Sequence, residues 1–302
     1  MATTVKVRIP GTTANCGPGF DTIGMACTIY NDLELTLSLA GPVEILVTGE
    51  GSSSLPKDDR NIVLRAVRKV LAAVNSPYQG IRLVMHNNIP LSRGLGSSAA
   101  AIVGGLVAAN AATGNTLGND IILNMATEIE GHPDNVAPAL FGGIAISVAN
   151  GKEVHCLHFA PVRPLSMIIA VPEFTLSTHR ARSVLPANVS MKDAIFNVSR
   201  TAMLVSALCS GKYDYLTCAL DDRLHQPYRE PLIPGMKAVF AAASEAGALG
   251  SVISGAGPCL IAFAQDNASA IGEAMVRAFA KHAVKAKYLL LQVDTAGTQV
   301  IA

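Results

Sequence analysis

The chain predicts a mixed α+β fold, and three observations carry that prediction. First, a glycine-rich stretch from Pro90 to Ala101 opens a helix-forming run to Ala112, and the next periodic segment, Asn119 to Glu130, is again helical. A doubly wound sheet would place a strand there. Second, Asn150-Gly151 joins two strand-type runs as a hairpin turn does. Third, Ser251 to Phe263 reads as strand, glycine turn, strand. Hairpin-like steps interleaved with helices describe an α+β sandwich.

Composition frames this reading. With 302 residues, half of them hydrophobic and 15% charged, the chain is long and apolar enough for one large or two medium cores and is unlike a disordered segment. A net charge of +1 without a basic run argues against nucleic acid or an anionic membrane as partner. Aromatic residues at 5%, with no Trp, leave little for base stacking. No apolar run approaches a bilayer-spanning length, and Met1 to Pro10 does not read as a signal peptide. The six cysteines form no Cys-x-x-Cys pair and read as reduced thiols of a cytoplasmic protein, without structural zinc.

In chain order, Val5 to Ile9 alternates as a half-buried strand. Pro10 to Asp21 reads as a long loop with three glycines and two prolines, shaped for a ligand and bracketed by Asn15 and Asp21. Leu33 to Leu39 and Val43 to Val47 are strands around the Gly41-Pro42 turn. Asn61 is an N-cap for a helix with apolar positions 63, 67, 70, 71 and 74, and it could equally face a nucleotide. Ile81 to Met85 is a strand. Gly131 and Pro133 end the Asn119 helix and open a loop holding His132, Asp134 and Asn135. Strands follow at Gly143 to Val148, Val154 to Phe159 and Met167 to Val171, with a domain boundary at Asn150-Gly151. A short helix starts near Thr178, and Met191 to Leu208 and Tyr213 to Leu220 are helical. Arg223 to Pro234 is a proline-broken loop holding His225 and Arg229. Gly235 to Ala246 and Ala268 to Lys281 are helices, and Tyr288 to Val293 is a closing strand.

The stretch Pro90-Leu91-Ser92-Arg93-Gly94-Leu95-Gly96-Ser97-Ser98-Ala99-Ala100 sits at a strand-to-helix junction. Glycines let a ligand approach the main chain, and the free N–H groups of a first helical turn favour an anion. Ser97 and Ser98 add hydroxyls within reach of phosphate oxygens or a magnesium ion, so the stretch reads as a phosphate cradle. Two other readings compete: a plain turn capped by Ser97, and a dinucleotide fingerprint, Gly94-x-Gly96-x-x-Ala99. The fingerprint needs an acidic residue about 20 positions on, where this chain has Gly114. A Walker loop is excluded because no Gly-Lys-Ser/Thr follows. Elsewhere, Glu128 and Glu130 at i, i+2 cannot share a helix face, so one of them at most points at a given site. Arg180 and Arg182 near a helix start suit anion binding.

Taken together, the Pro-Gly-Thr-x-Ala-Asn loop, Pro-x-x-x-Gly-Leu-Gly-Ser-Ser-Ala and Ser254-Gly-Ala-Gly-Pro258 resemble the kinase superfamily named for galactokinase, homoserine kinase, mevalonate kinase and phosphomevalonate kinase. Ala14-Asn15 to Asp21, His132-Pro-Asp-Asn-Val-Ala-Pro138, Ala181-Arg-Ser-Val-Leu-Pro186 and Pro227-Tyr-Arg-Glu-Pro-Leu-Ile-Pro234 resemble its homoserine kinase family along essentially the whole chain.

That resemblance implies an N-terminal domain over residues 1–151 related to domain 2 of ribosomal protein S5. It also implies a ferredoxin-like domain over 152–302, with the active site between them. It implies transfer of the γ-phosphoryl group of magnesium ATP to the side-chain hydroxyl of L-homoserine, in a cytoplasmic homodimer of threonine biosynthesis. Carried over by position, Pro90 to Ala100 wrap the triphosphate, Ser98 and Glu128 hold Mg2+, and Asn61 lies near adenine. The Glu-x-x-x-His spacing to His132 selects Glu128, with Glu130 as the other choice. Asn15, Asp21, His132 and Asn135 hold homoserine, Arg182 and Arg229 take its carboxylate, Thr178 sits by the transferred group, and Gly255 borders the site. Mevalonate-type relatives carry an aspartate base after the histidine, and His132-Pro-Asp-Asn135 offers no secure equivalent, so no dedicated side-chain base is expected. A kinase for another small alcohol and a non-catalytic nucleotide-binding regulator are the alternatives. The first would have little use for Asp21, and the second would tolerate a degenerate phosphate loop.

Overall fold

The computed structural model describes residues 2–151 and 153–301. Its first layer is a seven-stranded sheet made from β1 (Thr3–Ala14), β2 (Ile23–Ser38), β3 (Val43–Gly49), β4 (Gly80–Asn87), β5 (Ile144–Asn150), β6 (Glu153–Phe159) and a C-terminal strand at Gln299–Val300. The main path runs C-terminal strand, β1, β2, β4, β3, with β5 on the far part of β2 and β6 on β5. Only β3–β4 is parallel among these pairs. Four helices cover the sheet: α1 (Ile62–Ala73), α2 (Ser97–Ala112), α3 (Asn119–Glu130) and α4 (Pro133–Phe141).

The sequence explains the burial. The α1 stripe Val63, Leu64, Val67, Val70 and Leu71 faces the core, each side chain contributing about 1.5–3 kcal/mol of burial. α2 is apolar almost all round and buried along most of its length. Small residues let it lie close: a Cβ on Gly104 would stand 2.8 Å from Ile9 Cδ1, and one on Gly105 2.9 Å from the Val63 carbonyl.

The second layer is a four-stranded antiparallel sheet. Its strands are β7 (Ser166–Pro172), β8 (Gly250–Ile253), β9 (Leu260–Ala264) and β10 (Ala286–Gln292), in the order β10-β7-β9-β8. Between β7 and β8 come α5 (Thr178–Ser183), α6 (Met191–Ser210), α7 (Leu216–Ala219), α8 (Gln226–Arg229) and α9 (Met236–Glu245), and α10 (Ala268–Lys281) joins β9 to β10. A strand order of fourth, first, third, second, with crossing helices, is the ferredoxin-like arrangement the resemblance implies. Its core gathers Ile168, Val239, Leu260, Ile271 and Phe279.

Several expectations change. β1 continues through Pro10 to Ala14, with a register shift at Pro10/Gly11 that absorbs the proline. The ligand-shaping loop is therefore shorter than expected and begins at Asn15. The segment after Gly131 is the helix α4, with Pro133 in its first turn, where a missing N–H costs nothing. The proline-broken stretch holds the single helical turn α8. The expected division after Gly151 cuts the β5–β6 hairpin. Seven register pairs from Ile144–Phe159 to Asn150–Glu153 keep β6 in the first sheet, and the C-terminal strand returns to β1. Hairpin pairing outweighs the turn as a boundary signal. Among the described residues no helix is long and apolar enough to cross a membrane.

Candidate active site

A cavity of about 400 Å3 opens where the two layers meet, within the size range of small-molecule sites. From the first layer it takes Asn15, Asp21, Asn61, His132 and Asn135, together with the run 90–98; from the second it takes Thr178, Arg182, Arg229 and Gly255. Residues predicted from segments more than 200 positions apart thus share one wall.

The glycine loop owes its shape to residues without side chains. Gly94 (φ +79°) and Gly96 (φ +68°) are left-handed, and a Cβ would stand 2.0 Å from the Ser254 carbonyl at the first and 1.9 Å from Thr12 Oγ1 at the second. Gly96 is itself the N-cap of α2, and no side chain caps that helix. The Ser97 cap reading is therefore corrected: a left-handed glycine starts the helix, so the serine falls inside its first turn. The first-turn N–H groups are left to the cavity, the arrangement that binds an anion. Ala99 and Ala100 are wholly buried in α2 and do not line the cavity. Arg93 also departs from a phosphate-binding role, because its guanidinium donates to the carbonyls of Pro172 (3.0 Å), Glu173 (2.7 Å) and Leu91 (3.3 Å). It ties the loop to the second layer, as do Leu176 N to Ser92 O at 3.2 Å and the Ser254 hydroxyl to Gly94 O at 2.7 Å.

The carboxylate beside the loop is Glu130, not the predicted Glu128. Ser98 Oγ donates to Glu130 Oε2 at 2.8 Å, whereas Glu128 is 73% exposed and pairs with Lys69 of α1 at 2.8 Å. α3 reaches Glu130 before Gly131 caps it, and two positions on a helix turn nearly opposite ways. Family spacing cannot register that extra half turn. Burial raises the pKa of Glu130, Asp134 adds to the rise, and Ser98 and His132 oppose it. A half-buried carboxylate next to a hydroxyl at a helix start has the donor chemistry of a magnesium ligand pair.

Asn61 caps α1, its Oδ1 accepting from Val63 N (2.9 Å) and Leu64 N (3.3 Å), while also lining the cavity. Asn15, itself left-handed, accepts from Asp21 N at 3.0 Å and donates to Gly255 O at 2.9 Å, clamping the two layers. Asp21 makes a two-pronged bond to Arg182 (2.6 and 3.0 Å). That hydrogen bond and charge hold the Arg182 pKa up against burial. Asn135 Oδ1 accepts from Thr12 at 2.8 Å.

Sequence reasoning named two buried groups without giving them a role. Asp134, 2% exposed, lies 2.5 Å from His132 Nδ1 and accepts from Asn135 Nδ2 at 3.3 Å. Burial pulls the His132 pKa down, but Asp134, Glu130 and Asp21 outweigh it and leave the ring more basic than usual. The second is His225, whose spacing of four to Arg229 is a helical contact signal that a loop reading hides.

Arg229 is 1% exposed. It donates to the carbonyls of Ala181 (3.1 Å) and Gly255 (3.0 Å) and contacts His225 Nδ1 at 3.2 Å. Burial, with Arg182 nearby, brings its pKa down to about 10. Among the described residues no carboxylate comes within ion-pair distance of it. Asp21, Asp222 and Asp134 oppose the fall in its pKa only through space, and a buried cation without a directly paired anion is costly.

Fold and cleft together define a two-domain small-molecule kinase architecture. Sequence models of the GHMP kinases N terminal domain and the GHMP kinases C terminal domain match residues 61–143 and 204–282. The chain is 50% identical to homoserine kinase of Moorella thermoacetica over 92% of this chain and 94% of that one. It is 44% identical to homoserine kinase of Carboxydothermus hydrogenoformans over 97% and 95%. Homoserine kinase from Cytophaga hutchinsonii superposes with a TM-score of 0.91 at 32% identity, covering 99% of this chain and 98% of that one. The chain belongs to the GHMP kinases and, within them, to the homoserine kinase family.

Proposed function

We propose that the protein is an ATP-dependent homoserine kinase, which converts L-homoserine to O-phospho-L-homoserine for threonine biosynthesis. The observation that carries this reading is Arg229, a buried guanidinium with no carboxylate within ion-pair distance among the described residues, lining the same cavity as a glycine-shaped helix start that no side chain caps. One end suits a triphosphate and the other the carboxylate of an amino acid.

In this reading the backbone of Gly94 to Ser98 holds the phosphates, and Asn61 borders the adenine pocket. Ser98 and Glu130 hold Mg2+, which neutralises phosphate charge when bound. Arg229 and Arg182 take the acceptor's carboxylate, and a planar fork suits that geometry. Asp21 serves two cations, the ammonium of the substrate and its existing partner Arg182. Asn15, His132 and Asn135 complete the acceptor wall, with Thr178 beside the transferred group. The acceptor hydroxyl oxygen bonds to the γ-phosphorus as the bond to the β-phosphate oxygen breaks, and the hydroxyl proton passes to a phosphoryl oxygen. Asp134 is a positioning group for His132 and Asn135 rather than a base. The dispersed free cysteines support a reducing, cytoplasmic setting, and family membership supports a homodimer.

The test is ADP release with L-homoserine, L-serine, L-threonine, mevalonate and no acceptor. Release that depends on homoserine above the others is expected. Release indifferent to the acceptor, or greatest with mevalonate, contradicts the assignment.

A further inference from the structure

His225 is a buried titratable group beside the cavity without a part in the chemistry above. It lies at the start of α8, four residues before Arg229, and is wholly buried. Its ring stacks on Phe20 with centroids 5.1 Å apart. The guanidinium groups of both Arg182 and Arg229 lie 5.3 Å from the centroid of that same Phe20 ring.

Its two nitrogens face opposite chemistry. Nε2 is 2.8 Å from the Gly17 carbonyl and 3.5 Å from Asp222 Oδ2. Both neighbours are acceptors, since Asp222 already receives the N–H groups of Leu224, His225 and Gln226 and the Asn197 amide. Nδ1 faces Arg229 Nη1 at 3.2 Å, and a guanidinium can only donate. The proton therefore sits on Nε2 and the lone pair on Nδ1. A cationic ring would set a donor against a donor, and burial, together with Arg229, favours the neutral form over the opposing pull of Asp222.

We infer that neutral His225 is a positioning residue: anchored to the backbone of the Asn15–Asp21 loop through Nε2–H, it fixes the guanidinium of Arg229 through Nδ1 and so sets the geometry of acceptor-carboxylate binding. The inference rests on the amino-acid reading of the site. It couples the loop carrying Asp21 to the arginine, although the two lie about 200 positions apart in the chain.

Two substitutions separate the two bonds, because asparagine keeps an acceptor near Nδ1 and glutamine keeps a donor near Nε2. His225→Gln is expected to raise the KM for L-homoserine about tenfold or more, leaving the KM for ATP within about twofold of wild type. His225→Asn is expected to stay within about threefold for both substrates. Equal effects of the two substitutions, or parallel shifts in both KM values, would overturn the inference and make His225 merely structural. Wild-type turnover that ignores homoserine overturns the amino-acid reading, and this inference with it; normal wild-type turnover with unchanged His225→Gln kinetics overturns this inference alone. Should both variants fail to fold, 15N–1H correlation on the histidine-labelled wild type decides. The solvent-protected ring is expected as the Nε2–H tautomer, and an Nδ1–H or cationic ring contradicts the assignment.

Discussion

The two ends of the cleft are built on opposite principles. The nucleotide end is main chain: two left-handed glycines, a helix without a side-chain cap, and one serine–glutamate pair. In the proposed reading the acceptor end is side-chain charge: Asp21 on Arg182, Asp134 on His132, and Arg229 with no directly paired carboxylate among the described residues. Backbone recognition is written into a short contiguous stretch and tolerates little change in backbone conformation. Charge recognition is assembled from loops far apart in sequence and depends on how the two layers dock. A phosphate carries the same geometry in every nucleotide, whereas the acceptor must be told apart from other small alcohols.

Substitutions at each end should break different kinetic constants. The largest effect is expected at the serine–glutamate pair of the nucleotide end. Glu130→Gln should lower kcat/KM on the order of 100-fold or more by removing a charge beside Ser98, read as ADP release across a magnesium titration; near-wild-type turnover would return the metal role to Glu128. Arg229→Ala comes next, raising the KM for homoserine about 100-fold while that for ATP holds within about threefold. Equal shifts in both constants would dissolve the distinction between the ends. Gly96→Ala should do the reverse, raising the KM for ATP about tenfold and destabilising the fold by about 1–3 kcal/mol through its positive φ. Asp134→Asn should lower turnover about tenfold while leaving it measurable, since it disturbs His132 and Asn135 without removing a base. Complete loss with intact binding would make Asp134 the base after all. Glu128→Gln should change kcat/KM less than twofold.

Titration adds a further contrast. A raised pKa keeps Glu130 protonated at pH values where an exposed carboxyl has already ionised, so the magnesium requirement should rise as pH falls, beginning above the usual carboxyl range near about 4.3. Magnesium dependence that stays flat until that ordinary range would mean the ion is held elsewhere.

The same division explains what the sequence could say. The glycine turn that opens α2 was legible because glycine spacing, serines and a following helix are all local. α1, with its Asn61 cap, and α3 were legible for the same reason. The choice between Glu128 and Glu130 was not, because it depends on which side of α3 faces α1 and which faces α2. The β6 strand was read correctly as a strand, but its sheet is set by the same local hairpin with β5 that the division after Gly151 cut through. Asp134 looked like one polar residue among several in a loop; only its enclosure in α4 against His132 singles it out. His225 and Arg229 were both noticed, but their contact requires the one helical turn that the flanking prolines disguise.

The central claim, that the acceptor end recognises a zwitterion by opposed charges, is tested most directly by comparing L-homoserine with 4-hydroxybutyrate, which has the same hydroxyl and carboxylate but no ammonium. With saturating magnesium ATP, kcat/KM for homoserine should exceed that for 4-hydroxybutyrate by about 100-fold or more, the ammonium being held by carboxylates such as Asp21. Equal values for the two acceptors would contradict the account.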